Sequence, residues 1–205
     1  LHTAYRRQRQ MCIRDSFGGL LKGVSTLLIP QDEVIDPALL WKNIVKYKIS
    51  YFLCNPVLIQ GMIEQRKLHP DDKLSLRLVT TSAEPISVGL VLQWKEMFAD
   101  IPLLNLYGAT ECSSNALVYD TAQLDKSYQR VPIGEALANV RIYILDEYDR
   151  LVPYGLIGEM CVAGDCLAKG YLNLGDLNKE KFIKIPYNHD LVYRTGDLVR
   201  YMDNG

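Results

Sequence analysis

The sequence predicts an α/β fold in which a parallel sheet with helical crossovers is followed by a β-rich region. Two observations carry the first half. Short apolar runs alternate with segments of helical period from Phe17 to about Leu106, and the helical segments open on the N-terminal signals Asp36-Pro37, Asn55-Pro56 and Ser87. Strands alternating with helices are the mark of parallel pairs joined by helical crossovers. A third observation carries the second half. After about Arg130, Val140, Ile142 and Ile144 alternate with Arg141, Tyr143 and Leu145, and Gly155, Gly158, Gly164 and Gly170 punctuate the chain beyond them, a pattern of antiparallel strands and tight turns.

Taken in order, Ser25 to Ile29 comes after Gly23, is closed by Pro30 and reads as a buried strand. Asp at the N-cap accepts backbone N–H groups of the first turn, and Pro at the first helical position has no N–H to leave unpaired. Asp36-Pro37 therefore starts a helix that spaces Leu40, Ile44, Val45 and Tyr47. Ile49 to Leu53 is the next strand, and Asn55-Pro56 starts a second helix with Leu58, Ile59, Met62 and Ile63 on one face. Leu76 to Thr80 is a strand, Ser87 caps a third helix carrying Leu90, Val91, Trp94 and Phe98, and Pro102 to Leu106 is a fourth strand. Beyond the Val140 strand, Asp146 to Asp149 is a turn and Leu151-Val152 resumes the strand pattern. Glu159 to Ala163 and Leu191 to Tyr193 are short strands, and about Asn178 to Phe182 is helical. The expected division is a leader over 1–16, an α/β part over 17–128 and a β-rich part of the same domain over 129–205. The leader lacks a hydrophobic core, so it is not a secretory signal. Its Met11 to Ser16 segment resembles translated adapter sequence, and the leader is expected to be non-native. Asp203-Asn204-Gly205 reads as a turn.

A formal net charge of −1 gives no reason to expect a nucleic-acid or anionic membrane partner. The five cysteines, Cys12, Cys54, Cys112, Cys161 and Cys166, are odd in number and without Cys-x-x-Cys spacing. Reduced thiols in a cytoplasmic protein are the expectation, against a disulfide or zinc framework. His2, His69 and His189 are too scattered to suggest a metal site.

The segment Asn105-Leu106-Tyr107-Gly108-Ala109-Thr110-Glu111 closes a predicted parallel strand, and the carboxyl ends of such strands are where α/β sheets hold ligands. Gly108 permits a close backbone approach. Thr110 offers a hydroxyl, Glu111 a carboxylate of the kind Mg²⁺ takes beside phosphate and water oxygens, and Tyr107 a flat face for a nucleobase. A strand-to-loop turn with a solvated Glu is the plain alternative. In Tyr193-Arg194-Thr195-Gly196-Asp197 a short strand ends in Thr-Gly-Asp. Its carboxylate suits a ribose diol, or it is an exposed Asp in a hairpin turn. Gly158 to Asp165, with Leu167 to Tyr171 after it, reads alone as structural glycines in a β region.

In this order and spacing the three segments resemble the adenylate-forming superfamily of acyl-CoA synthetases, luciferases and peptide-synthetase adenylation domains. Asn105 to Glu111 is similar to that family's Asn-x-Tyr-Gly-Pro-Thr-Glu motif, Gly158 to Tyr171 to its Gly-Glu-Leu…Ala-x-Gly-Tyr motif, and Tyr193 to Asp197 to its Tyr-x-Thr-Gly-Asp motif. Val131-Pro132-Ile133-Gly134 and Ile142 to Asp146 resemble the nonribosomal peptide synthetase branch. The resemblance runs from about Phe17 to Gly205. It implies part of the large N-terminal domain of such an enzyme, whose β-rich region is a distorted barrel.

The resemblance further implies that Thr110 binds the ATP α-phosphate, Glu111 holds Mg²⁺, Tyr107 packs on adenine, Asn105 contacts it, Gly108 lets the loop turn beside the nucleotide, and Asp197 holds the ribose hydroxyls. Ala83, in Thr81-Ser82-Ala83-Glu84, stands where the family has a Gly-rich adenine loop, and Ala109 replaces the common proline. Val57, Val79, Thr81, Leu106, Ser114 and Asn115 would line the amino-acid pocket. Core packing is the alternative for Val57, Val79 and Leu106, and helix capping for Ser114 and Asn115.

The implied reaction joins an amino acid to ATP, giving aminoacyl-AMP and pyrophosphate. The acyl group then passes to the phosphopantetheine thiol of a carrier-protein domain, beside a condensation domain in the parent protein. The carboxylate is the nucleophile, so positioning and charge neutralisation are the chemistry required. The family's phosphate loop, its pocket Asp for the substrate ammonium and the small C-terminal domain with its Lys have no counterpart here, so this chain alone is expected not to catalyse adenylation. Other branches remain open, an acyl- or aryl-CoA ligase or a D-alanine–carrier ligase. A non-catalytic interaction module of the same fold is the alternative from another class.

Overall fold

The computed structural model describes residues 18–202. The expected leader over 1–16, Phe17 and the turn at Asp203 to Gly205 lie outside the described residues. The described chain divides into two compact units, one of 18–106 with Tyr119–Ile133, the other of Tyr107–Val118 with 134–202.

In the first unit, β1 (Tyr51–Cys54), β2 (Leu78–Thr81) and β3 (Leu103–Tyr107, whose last residue begins the second unit) are parallel neighbours. Leu53 pairs with Thr80, and Thr81 with Asn105. Helices supply the crossovers. After α1 (Gln31–Ile35) come α2 (Pro37–Lys46), then α3 (Pro56–Leu68) between β1 and β2, and α4 (Val88–Met97) between β2 and β3. Each of the last three is capped as its sequence requires. Asp36 accepts from the Ala38 and Leu39 N–H groups, Asn55 from Leu58, and Ser87 from Leu90. Their apolar faces form one core with the sheet, including Leu40, Ile44, Ile59, Met62, Ile63, Val91 and Trp94. Burying a side chain of this size stabilises the fold by about 1.5–3 kcal/mol. Both tryptophans keep their indole N–H paired, Trp94 to the Ile101 carbonyl at 2.8 Å and Trp41 to Asp72 at 2.7 Å.

Several elements differ from the sequence reading; the expected strand at Leu151-Val152 is only an isolated bridge from Leu151 to Leu145. Ser25 to Ile29 forms no strand; Leu27 and Leu28 are exposed and pair with no other segment among the described residues. An apolar run without a ladder partner has neither the hydrogen bonds nor the burial that makes a strand. The expected strand ending at Thr195-Gly196-Asp197 continues instead to Val199.

In the second unit, β6 (Val140–Leu145), β7 (Gly158–Gly164), β8 (Phe182–Lys184) and β9 (Leu191–Val199) form an antiparallel sheet in the order β6-β7-β9-β8. Leu145, Cys161, Ala163, Ile185 and Val192 make its core. The helix α5 (Gly175–Lys181) precedes β8. Three strands are absent from the sequence reading: β8, and β4 (Leu117–Asp120), which begins in this unit and pairs with the two-residue β5 (Glu135–Ala136) through Leu117 and Val118.

Candidate functional site

Where β3 ends, the chain makes a sharp return. Thr110–Cys112 is a single 3-10 turn, and Ser113 and Ser114 come after it at φ +58° and +76°. The Ala116 N–H closes the loop on the Tyr107 carbonyl at 2.8 Å. Gly108 is required there, because a Cβ would stand 2.1 Å from the Ser114 carbonyl oxygen.

The loop carries Tyr107, Thr110 and Glu111, and side chains from distant segments reach the first and last of them. The Tyr107 hydroxyl donates to the Asp197 carboxylate. Burial raises the Tyr107 pKa and the bond to Asp197 raises it further, so the phenol stays a donor. The Tyr171 hydroxyl donates to Glu111 Oε1 at 2.7 Å. Burial again raises its pKa first, with Glu111 acting the same way. Tyr193 feels the charges of both pairs. Burial raises its hydroxyl pKa, the hydrogen bond with Tyr171 lowers it, and the charges of Glu111 and Asp197 both raise it. Within the second unit, then, two tyrosine–carboxylate pairs form, Tyr107 with Asp197 and Tyr171 with Glu111.

The segment carrying Tyr171 is fastened to the same loop. The Ala168 N–H donates to the Glu111 carbonyl at 2.8 Å, and Ser113 Oγ donates to the Cys166 carbonyl at 2.7 Å. Sequence reasoning assigned Tyr171 no role, since glycines dominated its segment. Its one signal was a tyrosine closing a run of small residues.

Ser114 and Asn115 lie in this unit; neither caps a helix, because Ser113 is the C-cap of the 3-10 turn. The other candidates belong to the first unit. Asn105 is buried and spends its Nδ2 on the Pro132 carbonyl at 2.9 Å, tying β3 to the Val131-Pro132 link. Val79 is wholly inside the core, Leu106 is half-buried, and Val57 is 69 % exposed on the first turn of α3. Thr81 is wholly buried and its hydroxyl has no hydrogen-bond partner among the described residues. Ala83 sits at φ +77°, in the left-handed region that favours glycine.

The two carboxylates suit a nucleotide and its metal. Glu111 gives one oxygen to Tyr171, and no side chain among the described residues donates to the other. No cluster of three His, Cys, Asp or Glu exists among the described residues. Glu111 thus offers a single carboxylate oxygen, and Mg²⁺ takes one or two carboxylates and fills its shell with phosphate and water oxygens. Asp197 is exposed and already accepts one hydroxyl, which is the interaction a ribose diol needs.

A family model described as AMP-binding enzyme matches residues 11–172. This chain belongs to the AMP-binding enzyme family. Relatives of this AMP-binding chain include surfactin synthase subunit 1 of Bacillus subtilis (strain 168), 34 % identical over 93 % of the chain and 5 % of the relative. Tyrocidine synthase 3 of Brevibacillus parabrevis is 36 % identical over 90 % of the chain and 3 % of the relative. The chain thus spans 5 % or less of the length of these two relatives. Crystal structures of the nonribosomal peptide synthetase FmoA3 share the fold. Its AMPPNP-bound form has a TM-score of 0.88 at 26 % identity, covering 94 % of this chain and 21 % of that one. Its α-methyl-L-serine-AMP-bound form has a TM-score of 0.89 at 27 % identity, covering 96 % and 22 %.

Proposed function

We propose that this AMP-binding chain is part of the adenylation domain of a nonribosomal peptide synthetase, a ligase that turns an amino acid and ATP into aminoacyl-AMP and pyrophosphate. The observation that carries the reading is the meeting of Tyr107 and Asp197, two motif residues 90 positions apart, in one hydrogen bond. The peptide-synthetase relatives and the AMPPNP- and aminoacyl-AMP-bound forms of FmoA3 support it.

In this reading Tyr107 lies against adenine, Asp197 accepts from the ribose diol and the Thr110 hydroxyl faces the α-phosphate. Glu111 holds Mg²⁺, which when bound neutralises phosphate charge. Gly108 lets the loop turn beside the nucleotide, and Ser114 and Asn115 face the amino acid. The protein's own task is to position these groups and exclude competing arrangements, since the amino-acid carboxylate is itself the nucleophile. A carrier domain whose phosphopantetheine thiol takes the acyl group, and a condensation domain, are the partners proposed for the whole protein. A cytosolic setting suits Cys54 and Cys161, free buried thiols whose pKa burial pushes up to about 12.

Thermal denaturation of the whole protein with and without ATP–Mg²⁺ tests this. A nucleotide binder gains about 2.7 kcal/mol at a ligand concentration of 100 Kd, and Asp197→Ala is expected to remove most of the gain. A whole protein whose Tm does not respond to ATP–Mg²⁺ holds no nucleotide there, which is the outcome a non-catalytic interaction module gives.

A further inference from the structure

Asp197 does not stand on a regular stretch of strand. The ladder pairs Cys161 with Arg194 and Glu159 with Leu198, so Met160 alone faces Thr195, Gly196 and Asp197. A bulge of this kind bends its strand and re-aims the side chains on it. Thr195 donates its hydroxyl to the Met160 carbonyl at 2.7 Å and accepts the Asp197 N–H at 3.1 Å.

Glu159 fastens the rest. Its Oε2 accepts from Arg194 Nε at 2.9 Å and Nη2 at 2.5 Å, while its Oε1 accepts the Gly196 N–H at 3.0 Å. Gly196 has φ +81°, a left-handed conformation suited to glycine. Arg194 Nη1 reaches Asp149 at 3.1 Å. The side chains of Glu159 and Arg194 are only 17 % and 26 % exposed. A sheltered pair in which two guanidinium N–H groups converge on one carboxylate oxygen, while the other oxygen takes a backbone amide, restricts direction, unlike an isolated ion pair on an open surface.

We propose that Glu159, acting with Arg194, is a positioning residue of the nucleotide site: it holds the bulge so that Asp197 presents its carboxylate to a ribose diol. The proposal rests on the reading of Asp197 given above. Glu159 itself does not touch the ligand, because both its oxygens are occupied by Arg194 and Gly196. Removing the carboxylate frees the Gly196 amide and leaves Arg194 with Asp149 alone, and Asp197 loses its fixed direction. The loss falls on nucleotides that carry the diol and spares those that lack it.

The test uses the full 205-residue chain and four forms: wild type, Asp197→Ala, Glu159→Gln and Glu159→Ala. AMP and 2′,3′-dideoxy-AMP are titrated against each by NMR, and exchange of the Gly196 amide is followed without ligand. Wild type is expected to prefer AMP, and Asp197→Ala to abolish the preference. Glu159→Ala should cut it about 10-fold, the worth of a hydrogen bond to a charged group, and accelerate Gly196 exchange while the amides of Val192 and Tyr193 stay protected. Glu159→Gln, which keeps an acceptor for Gly196, should fall between.

If Asp197→Ala leaves the preference intact, or wild type binds no AMP, the ribose reading fails and the proposal with it. If Asp197→Ala abolishes the preference while Glu159→Ala keeps both the preference and the Gly196 protection, the positioning role fails and the ribose reading stands. Equal weakening of both nucleotides in Glu159→Ala, with a lowered Tm, marks a purely structural residue and likewise overturns the proposal.

Discussion

Tyr171 donates its hydroxyl to Glu111 at 2.7 Å across 60 positions of chain. The donor is held from several sides. The Tyr171 N–H donates to Asn178 Oδ1 at 2.6 Å, Asn178 Nδ2 donates back to the Tyr171 carbonyl at 2.8 Å, and the ring meets Phe182 edge-on at 5.7 Å. Tyr171→Phe keeps the ring and removes one donor from Glu111. With Glu111 as the Mg²⁺ ligand, the Mg²⁺ concentration needed for half-maximal ATP binding is expected to change by roughly 10-fold, and AMP binding without Mg²⁺ to change little. Calorimetric titration at several Mg²⁺ concentrations measures both, and an unchanged Mg²⁺ response contradicts the assignment.

Gly108 leaves no room for a side chain. An added Cβ meets the Ser114 carbonyl oxygen at 2.1 Å and Asn115 Cα at 2.7 Å, both backbone atoms that cannot rotate away. Gly108→Ala is expected to cost about 1–3 kcal/mol, the range for forced overpacking. Urea unfolding followed by circular dichroism reads the loss, and a variant as stable as wild type would show that the loop relaxes freely.

Ala83 gives the opposite sign. At φ +77° it adopts a conformation costly for any residue with a Cβ, by about 1–2 kcal/mol. Ala83→Gly relieves that strain and adds unfolded-state entropy in return. A net gain of about 0.5–1 kcal/mol is expected, read as a higher urea midpoint with an unchanged slope.

Asp190 supplies the pH prediction. It accepts from Arg141 Nε and from the Tyr143 hydroxyl, each at 2.8 Å, and these bonds hold its carboxyl below the usual range, the Arg141 bond most strongly. A depressed folded pKa stabilises the protein above the unfolded pKa, about 3.9, and that stability is lost as pH falls through the lower folded value. Wild type is therefore expected to melt above Asp190→Asn at pH 5–7, and the gap to close below about pH 3.9. A gap that does not change with pH rules out the ionised carboxylate as its source.

The helices were open to sequence reading because their starts are local. Asp36, Asn55 and Ser87 each cap within three residues of themselves, so the signal and its cause lie in one short window. The same locality marked the turn at Asp146, whose carboxylate accepts from the Tyr148 and Arg150 N–H groups. The features that stayed hidden depend on partners far along the chain. β4 and β5 are short, and β5 exists only through its pairing with β4. Ser25 to Ile29 has strand composition but finds no neighbour among the described residues. The bulge that aims Asp197 is set by Glu159 from another strand, and Tyr171 joins Glu111 only after folding. The Asn105-to-Glu111 motif pointed to ligand chemistry but not to the tyrosine hydroxyls that organise it.

If the Gly108–Glu111 loop and the Thr195–Asp197 bulge hold one nucleotide between them, an AMP titration watched by backbone amide NMR tests it most directly. The amides of Gly108, Thr110, Gly196 and Asp197 are expected to shift together with one dissociation constant, and Asp197→Ala to weaken the response of both segments. Shifts confined to one segment, or separate dissociation constants for the two, would contradict a shared site.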